Sequence, residues 1–212
     1  MKKLILPLTA MLLGALPAAA DEVVRTMNQA FQAQAADEIN LDFPVGELVV
    51  QAWDEPQVKI EAKIECDSNR GRCAEAAKAL RLVANTRGQR LHIELQGWPK
   101  NSTGGLEANL EVKVPRNLPL IAELGVGKMD ISGIENDLKA DVGVGEVRIA
   151  MPQSAVGSVH LDSGVGDASL SAGGKHYDSS GFIGKELKWT RGTGDAKIDV
   201  DCGVGEINVE LR

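Results

Sequence analysis

Apolar and polar residues alternate along most of this chain. Val58, Ile60, Ala62 and Ile64 alternate with Lys59, Glu61, Lys63 and Glu65. That period of two predicts a strand with one buried and one charged face. Ala108, Leu110, Val112 and Val114 repeat the pattern until Pro115 ends it, and Leu48 and Val50 begin another after Val45-Gly46-Glu47. Residues 80–84 and 91–95 flank Asn85-Thr86-Arg87-Gly88-Gln89 and predict a hairpin. Residues 74–80 (AEAAKAL) predict the one helix, about two turns long. Residues 21–37, rich in Ala and Gln and weakly periodic, predict a frayed or short helical lead-in. Residues 99–105 predict a turn-rich loop.

From residue 119 onward the alternation carries a repeat. Gly125-Val126-Gly127 is followed by Gly143-Val144-Gly145, Gly164-Val165-Gly166 and Gly203-Val204-Gly205, with a looser copy at Phe182-Ile183-Gly184. The central Val or Ile falls at 126, 144, 165, 183 and 204, a spacing of 18 or 21 residues. A period near twenty predicts a stacked repeat architecture. The unit reads apolar-x-apolar-Asp-x-Gly-Val-Gly-acid-apolar-x-apolar. Ile198, Val200, Cys202 and Val204 share one parity, whereas Ile207, Val209 and Leu211 share the other. Both sets face one core only if the backbone slips by a residue between them. Glycine permits the dihedrals of such a slip, so Gly127, Gly145, Gly166, Gly184 and Gly205 are predicted as structural corners joining two strands per period. A phosphate-cradling role is disfavoured, because a strand and not a helix follows each copy.

The expected fold is all-β: a β-solenoid over 119–212, continuous with an N-terminal strand subdomain over 38–118 that carries the short helix and caps one end. One rung cannot bury its own apolar face, so stability must come from its neighbours. The last strand, 206–212, is predicted as an exposed edge guarded by Glu206, Glu210 and Arg212.

Residues 1–20 read as a secretory signal. Lys2 and Lys3 precede an apolar run over 4–16 that is too short to span a bilayer, and Ala18-Ala19-Ala20 offers a cleavage site. The expected location is periplasmic or secreted, with no membrane insertion of the mature chain. Cleavage after Ala20 removes two lysines and takes the formal net charge from −7 to −9. So acidic a chain is a poor partner for nucleic acid. Three Trp, three Phe and one Tyr are too few for an aromatic-lined sugar platform.

Cys66 and Cys73 lie close in sequence, and an oxidising compartment favours a disulfide between them. A metal or redox pair is the rival reading, but partner ligands are missing nearby and the spacing is not C-x-x-C. Cys202 occupies the slot of Val142 and Ser163 and is predicted to point inward as a buried thiol.

The acids beside the glycines are the sharpest candidate site. Asp141, Asp162 and Asp201 should stack, as should Glu146, Asp167 and Glu206. At a strand spacing of about 4.8 Å like charges repel, and bound calcium would relieve them. A solvated acidic edge with splayed side chains accounts for the same pattern, so no cofactor is expected and calcium stands as the alternative. His92 and His160 are expected on strand exteriors and His176 in a loop. The His176, Asp178, Ser179 and Ser180 cluster lacks the strand–elbow–helix setting of a nucleophilic serine. No enzyme is expected.

The residues from Leu110-Glu111-Val112-Lys113-Val114-Pro115 through Gly127-Lys128-Met129-Asp130-Ile131-Ser132-Gly133 into the Gly-Val-Gly rungs resemble the bacterial putative-adhesin, or toastrack, β-solenoid family. Residues 45–64 fit its leading strands. The resemblance implies an envelope β-solenoid with no catalytic residues to carry over. Some members are attached to membrane proteins of the envelope-stress response, a segment this chain lacks. Together these readings give an exported, non-catalytic, adhesin-like binding or structural module whose partner is an envelope protein or glycan. The alternatives are a calcium-dependent binding module and an envelope-stress accessory protein.

Overall fold

A computed structural model of the chain describes residues 22–67, 71–100, 105–181 and 184–212. The proposed signal over 1–20 lies outside them, as do Phe182 and Ile183 and most of the loop expected over 99–105. In chain order the elements are β1 (Glu22–Gln32), β2 (Glu38–Trp53), β3 (Gln57–Cys66), α1 (Gly71–Ala79), β4 (Arg81–Arg87), β5 (Arg90–Gln96) and β6 (Leu106–Pro115). They continue with β7 (Leu120–Ser132), β8 (Leu138–Met151), β9 (Val156–Ala172), β10 (Lys175–Asp178), β11 (Lys185–Trp189) and β12 (Ala196–Leu211).

The strands form one mixed sheet along the path β1-β3-β6-β2-β7-β8-β12-β9-β10. Its middle, β2, β7, β8, β12 and β9, is parallel throughout. Both ends of that parallel run divide. β2 pairs β5 through residues 38–42 and β6 through 48–53. β9 pairs β11 through residues 159–163 and β10 through 169–172.

Each Gly-Val-Gly copy sits in the middle of one continuous strand, where two strands per period had been expected. The change of phase is present. In β12, Ile198, Val200 and Cys202 are buried, then Ile207, Val209 and Leu211, with exposed residues between. The second glycine makes the switch. Gly46, Gly127, Gly145, Gly205 and Gly166 are neighbours in register and all take positive φ, from 133° to 152°. At Gly145 a Cβ would stand 1.7 Å from the Gly127 carbonyl oxygen, so neither the dihedral nor the space admits a side chain. Gly184 lies outside this row. It precedes β11, which runs antiparallel to β9, and its amide donates to the Gly164 carbonyl.

Two other expectations change. The segment expected as a helical lead-in is β1, paired along its length with β3. Of its residues only Met27 is buried, so a ladder on the β3 edge holds β1 as a strand where the sequence offers little core pattern. Arg25 also caps α1, donating from Nη1 to the carbonyls of Ala77 and Leu80 at 2.9 Å and of Lys78 at 3.1 Å. The final strand is no edge. β12 lies between β8 and β9 and pairs with both, because its two neighbours offer the same side-chain phase and the same glycine break.

Both halves of the long strands feed one core, from Ile39, Leu41 and Phe43 at one end to Leu161, Leu170 and Leu187 at the other. The buried polar side chains are satisfied: Ser163 Oγ donates to the Gly205 carbonyl at 3.1 Å. Cys202 in the same slot is buried with its sulfur 3.8 Å from the Gly145 carbonyl, and burial pushes its thiol pKa up. Cys66 and Cys73 are joined by a disulfide that ties α1 to β3.

Candidate functional site

The in-register stack turns each position of the repeat into a row across the sheet, because parallel strands place equivalent residues side by side. Three rows matter. The first holds Glu94, Asp42, Glu123, Asp141, Asp201, Asp162 and Glu186. The second holds Val45, Val126, Val144, Val204 and Val165. The third holds Glu47, Lys128, Glu146, Glu206 and Asp167.

The valine row follows from the phase switch. Each valine has the parity of the buried residues before it, but the backbone turns at the next glycine and leaves it outside. Val126, Val144 and Val204 are 46% exposed and Val165 is 57% exposed. Five strands carry the ridge for roughly 19 Å at the usual strand spacing. Acidic side chains border it on both sides.

The two predicted acid stacks are therefore neighbours in register: Asp141, Asp201 and Asp162 in one row, Glu146, Glu206 and Asp167 in the other. Basic side chains offset part of their charge. Lys139 Nζ is 3.3 Å from Asp141 and Arg148 Nη2 is 2.5 Å from Glu146, while Lys185 pairs with Asp167. Burial, followed by the charges of Asp141 and Asp199, raises the Asp201 carboxyl above its ordinary range. The Asp141 charge and hydrogen bond raise Lys139 in turn.

The first row ends in a denser cluster at the β2/β5 pairing. Asn40-Leu41-Asp42 and His92-Ile93-Glu94 each put two polar side chains on one face. The register aligns Asn40 with His92 and Asp42 with Glu94. Asn40 is 6% exposed. Its Nδ2 donates to Glu123 Oε1 at 2.9 Å, and its Oδ1 bonds His92 Nδ1. His92 Nε2 faces Glu94 Oε2 at 3.8 Å. One ligand atom from each of Asp42, His92 and Glu94 lies within 4.8 Å of the others. Burial, then the charge of Glu123, raises the Asp42 carboxyl; His92 opposes the shift and Glu94 adds to it. The sequence carried half of this cluster, the two polar-apolar-polar triplets. It could not carry the pairing of two strands fifty residues apart.

His160 lies on β9, with Nδ1 2.9 Å from Asp199 and Nε2 2.9 Å from Glu186. His176 lies on strand β10 and not in a loop. Its Nδ1 is 3.1 Å from Ser171 Oγ and its Nε2 is 3.0 Å from Asp178. The Asp178 and His176 side chains are 76% and 58% exposed, so water screens the charges a relay would need concentrated. Ser179 Oγ accepts from the Ala168 amide at 3.0 Å and is not bonded to His176 in this chain of contacts. Trp189 is buried and Trp98 packs on the core.

Residues 20–171 match the family model described as the N-terminal domain of toast_rack, DUF2154. A solved structure of a putative cell adhesion protein from Clostridium sporogenes shares the fold at 17% identity and a TM-score of 0.51, covering 89% of this chain and 99% of its own. A putative adhesin from Parabacteroides merdae aligns at 10% identity and a TM-score of 0.30, over 69% of this chain and 63% of its own. Curated proteins give no match. Among the described residues, no helix is long and apolar enough to cross a membrane.

Proposed function

The chain belongs to the toast_rack family, and from that premise we propose that it is an exported, non-catalytic, adhesin-like binding module of the cell envelope whose binding surface is the valine ridge. The observation that carries this reading is the row Val126, Val144, Val204 and Val165, each about half exposed. Contiguous apolar surface rimmed by polar residues marks interaction sites. The acidic rows on either side suit a protein partner with an apolar strip and a basic rim. A glycan suits it less, since the ridge has no aromatic ring to stack on a sugar. In this reading the parallel stack is a β-solenoid and the glycine row is its corner, so the ridge runs along an outer edge. The reading also keeps the secretory role of residues 1–20.

The test is binding of purified protein to envelope proteins immobilised on a sensor surface, comparing wild type with the Val144→Lys/Val204→Lys double variant. The reading expects at least about a tenfold loss with an unchanged melting temperature, since the positions face solvent. Equal binding by the folded variant removes the ridge from the function.

A second reading rests on Asp201, whose carboxyl is raised by burial and then by Asp141. A calcium ion in the Asp141, Asp201 and Asp162 row would relieve that strain and make binding calcium-dependent. Millimolar calcium would then raise the melting temperature; a melt that does not move with calcium dismisses it.

A further inference from the structure

We propose that Asp42, His92 and Glu94 form a binding site for one divalent transition-metal ion of the zinc class. The case rests on where the imidazole lone pair points. Asn40 is buried, and its amide orientation is set by the bond its Nδ2 donates to Glu123 at 2.9 Å. Its Oδ1 is therefore the atom that meets His92 Nδ1. An amide oxygen only accepts, so Nδ1 carries a proton, and in the neutral imidazole Nε2 is the bare nitrogen. That bare nitrogen faces a carboxylate oxygen of Glu94 at 3.8 Å. Two lone-pair donors facing each other attract nothing between themselves. Two ligands of one tetrahedral zinc stand about 3.4 Å apart, given bond lengths near 2.0–2.2 Å. The observed separation is a few tenths of an ångström wider. The third oxygen, from Asp42, completes a group within 4.8 Å.

The surroundings fit the same assignment. A ligating histidine commonly donates its other nitrogen to an oxygen that fixes tautomer and ring orientation, and Asn40 with Glu123 behind it does this. The His92 and Glu94 side chains are 13% and 28% exposed, so the donors are held by packing and partly shielded from water. Two carboxylates balance a divalent charge, and the imidazole favours a transition metal over calcium or magnesium. Three protein ligands leave a position beside exposed Asp42 for water.

The experiment is calorimetric titration of the metal-free protein with zinc, paired with the visible spectrum of the cobalt-loaded protein. Wild type should take up one equivalent saturably. His92→Gln, Asp42→Asn and Glu94→Gln should each weaken binding by at least about tenfold while the melt without metal stays close to wild type. The last two are nearly isosteric, so folding does not confound them. His160→Gln and His176→Gln should keep the full equivalent. Absence of saturable uptake by wild type overturns the site. So does uptake that survives His92→Gln, or that is lost with His160→Gln.

Discussion

Two histidines stand in one row of this sheet and do opposite things. His92 on β5 aligns with Asn40 on β2, and His160 on β9 aligns with Asp199 on β12. Both lie where a long strand divides between two partners. At His160 each ring nitrogen meets a carboxylate at 2.9 Å. Burial disfavours the imidazolium there, but the bonds to Glu186 and Asp199 outweigh it and the pKa is raised. At His92 the Nδ1 partner is a neutral amide, and in the neutral ring the Nε2 lone pair is directed at Glu94. Carboxylates on both ring nitrogens make a proton holder; an amide on one leaves the other able to ligate. The fold supplies the same slot twice, and the cross-strand neighbour decides its chemistry.

The comparison breaks altogether if the register is lost. Gly145→Ala places a Cβ 1.7 Å from the Gly127 carbonyl oxygen at a φ of 152°. The expected cost is about 4 kcal/mol or more, enough to prevent folding. Circular dichroism of a soluble, cooperatively melting Gly145→Ala protein would contradict it. Gly88→Ala is the control: its φ of +66° is strained, but nothing lies within 4 Å, and about 1 kcal/mol is expected.

Removing the disulfide asks how far the two ends are independent. Cys66→Ser with Cys73→Ser should lower stability by about 2–3 kcal/mol in urea. The His160 side-chain resonances should stay put, and their movement would mean the ends are coupled. Asn40→Leu then removes the oxygen that fixes the His92 tautomer and ring orientation. Zinc affinity should fall about tenfold or more. Undiminished affinity would separate metal binding from the lone-pair argument.

The remaining two effects are smaller and turn on pH. A histidine with a raised folded pKa contributes stability that is fully present below its unfolded value near 6.5 and fades as pH rises through the folded one. His160→Gln should therefore cost under about 1 kcal/mol at pH 5.5 and close to nothing at pH 8, discounted because the side chain is 38% exposed. The reverse ordering in thermal melts would refute the ion-pair assignment. Asp201 has the opposite sign for an acid. Its raised folded pKa penalises the ionised form, so stability falls as pH rises from about 4 through the folded value. Asp201→Asn should gain a few tenths of a kcal/mol at pH 7. A loss there would show that Asp201 makes a favourable contact as the anion.

Much of this was readable in the residues. The alternation of Val58, Ile60, Ala62 and Ile64 marks β3 because one face is dry and the other is wet. The parity change between Cys202 and Ile207 marks the phase switch, since side chains can only face inward on both halves if the backbone slips. The hairpin of β4 and β5 and the short helix follow from local chemistry, although α1 begins three residues earlier than its apolar run. What the residues could not give was long-range choice. β1 is a strand because β3 has a free edge, and nothing in its Ala/Gln-rich sequence states that. Gly184 looks like its cousins but belongs to an antiparallel segment. His92 and Asp42 are fifty residues apart, and only the parallel register of β2 and β5 brings them together.

The placement of β12 between β8 and β9 has a kinetic consequence. β8 and β9 are made first and share the same side-chain phase and the same Gly-Val-Gly break. They are the natural partners of each other until β12 arrives. A chain folding from its N-terminus must either hold that gap open or separate a premature β8–β9 ladder to admit the last strand. Long-range parallel pairing is slow, and the delay leaves unpaired edges exposed to aggregation. Export in an unfolded form would remove the head start, letting the whole sheet compete for pairing at once.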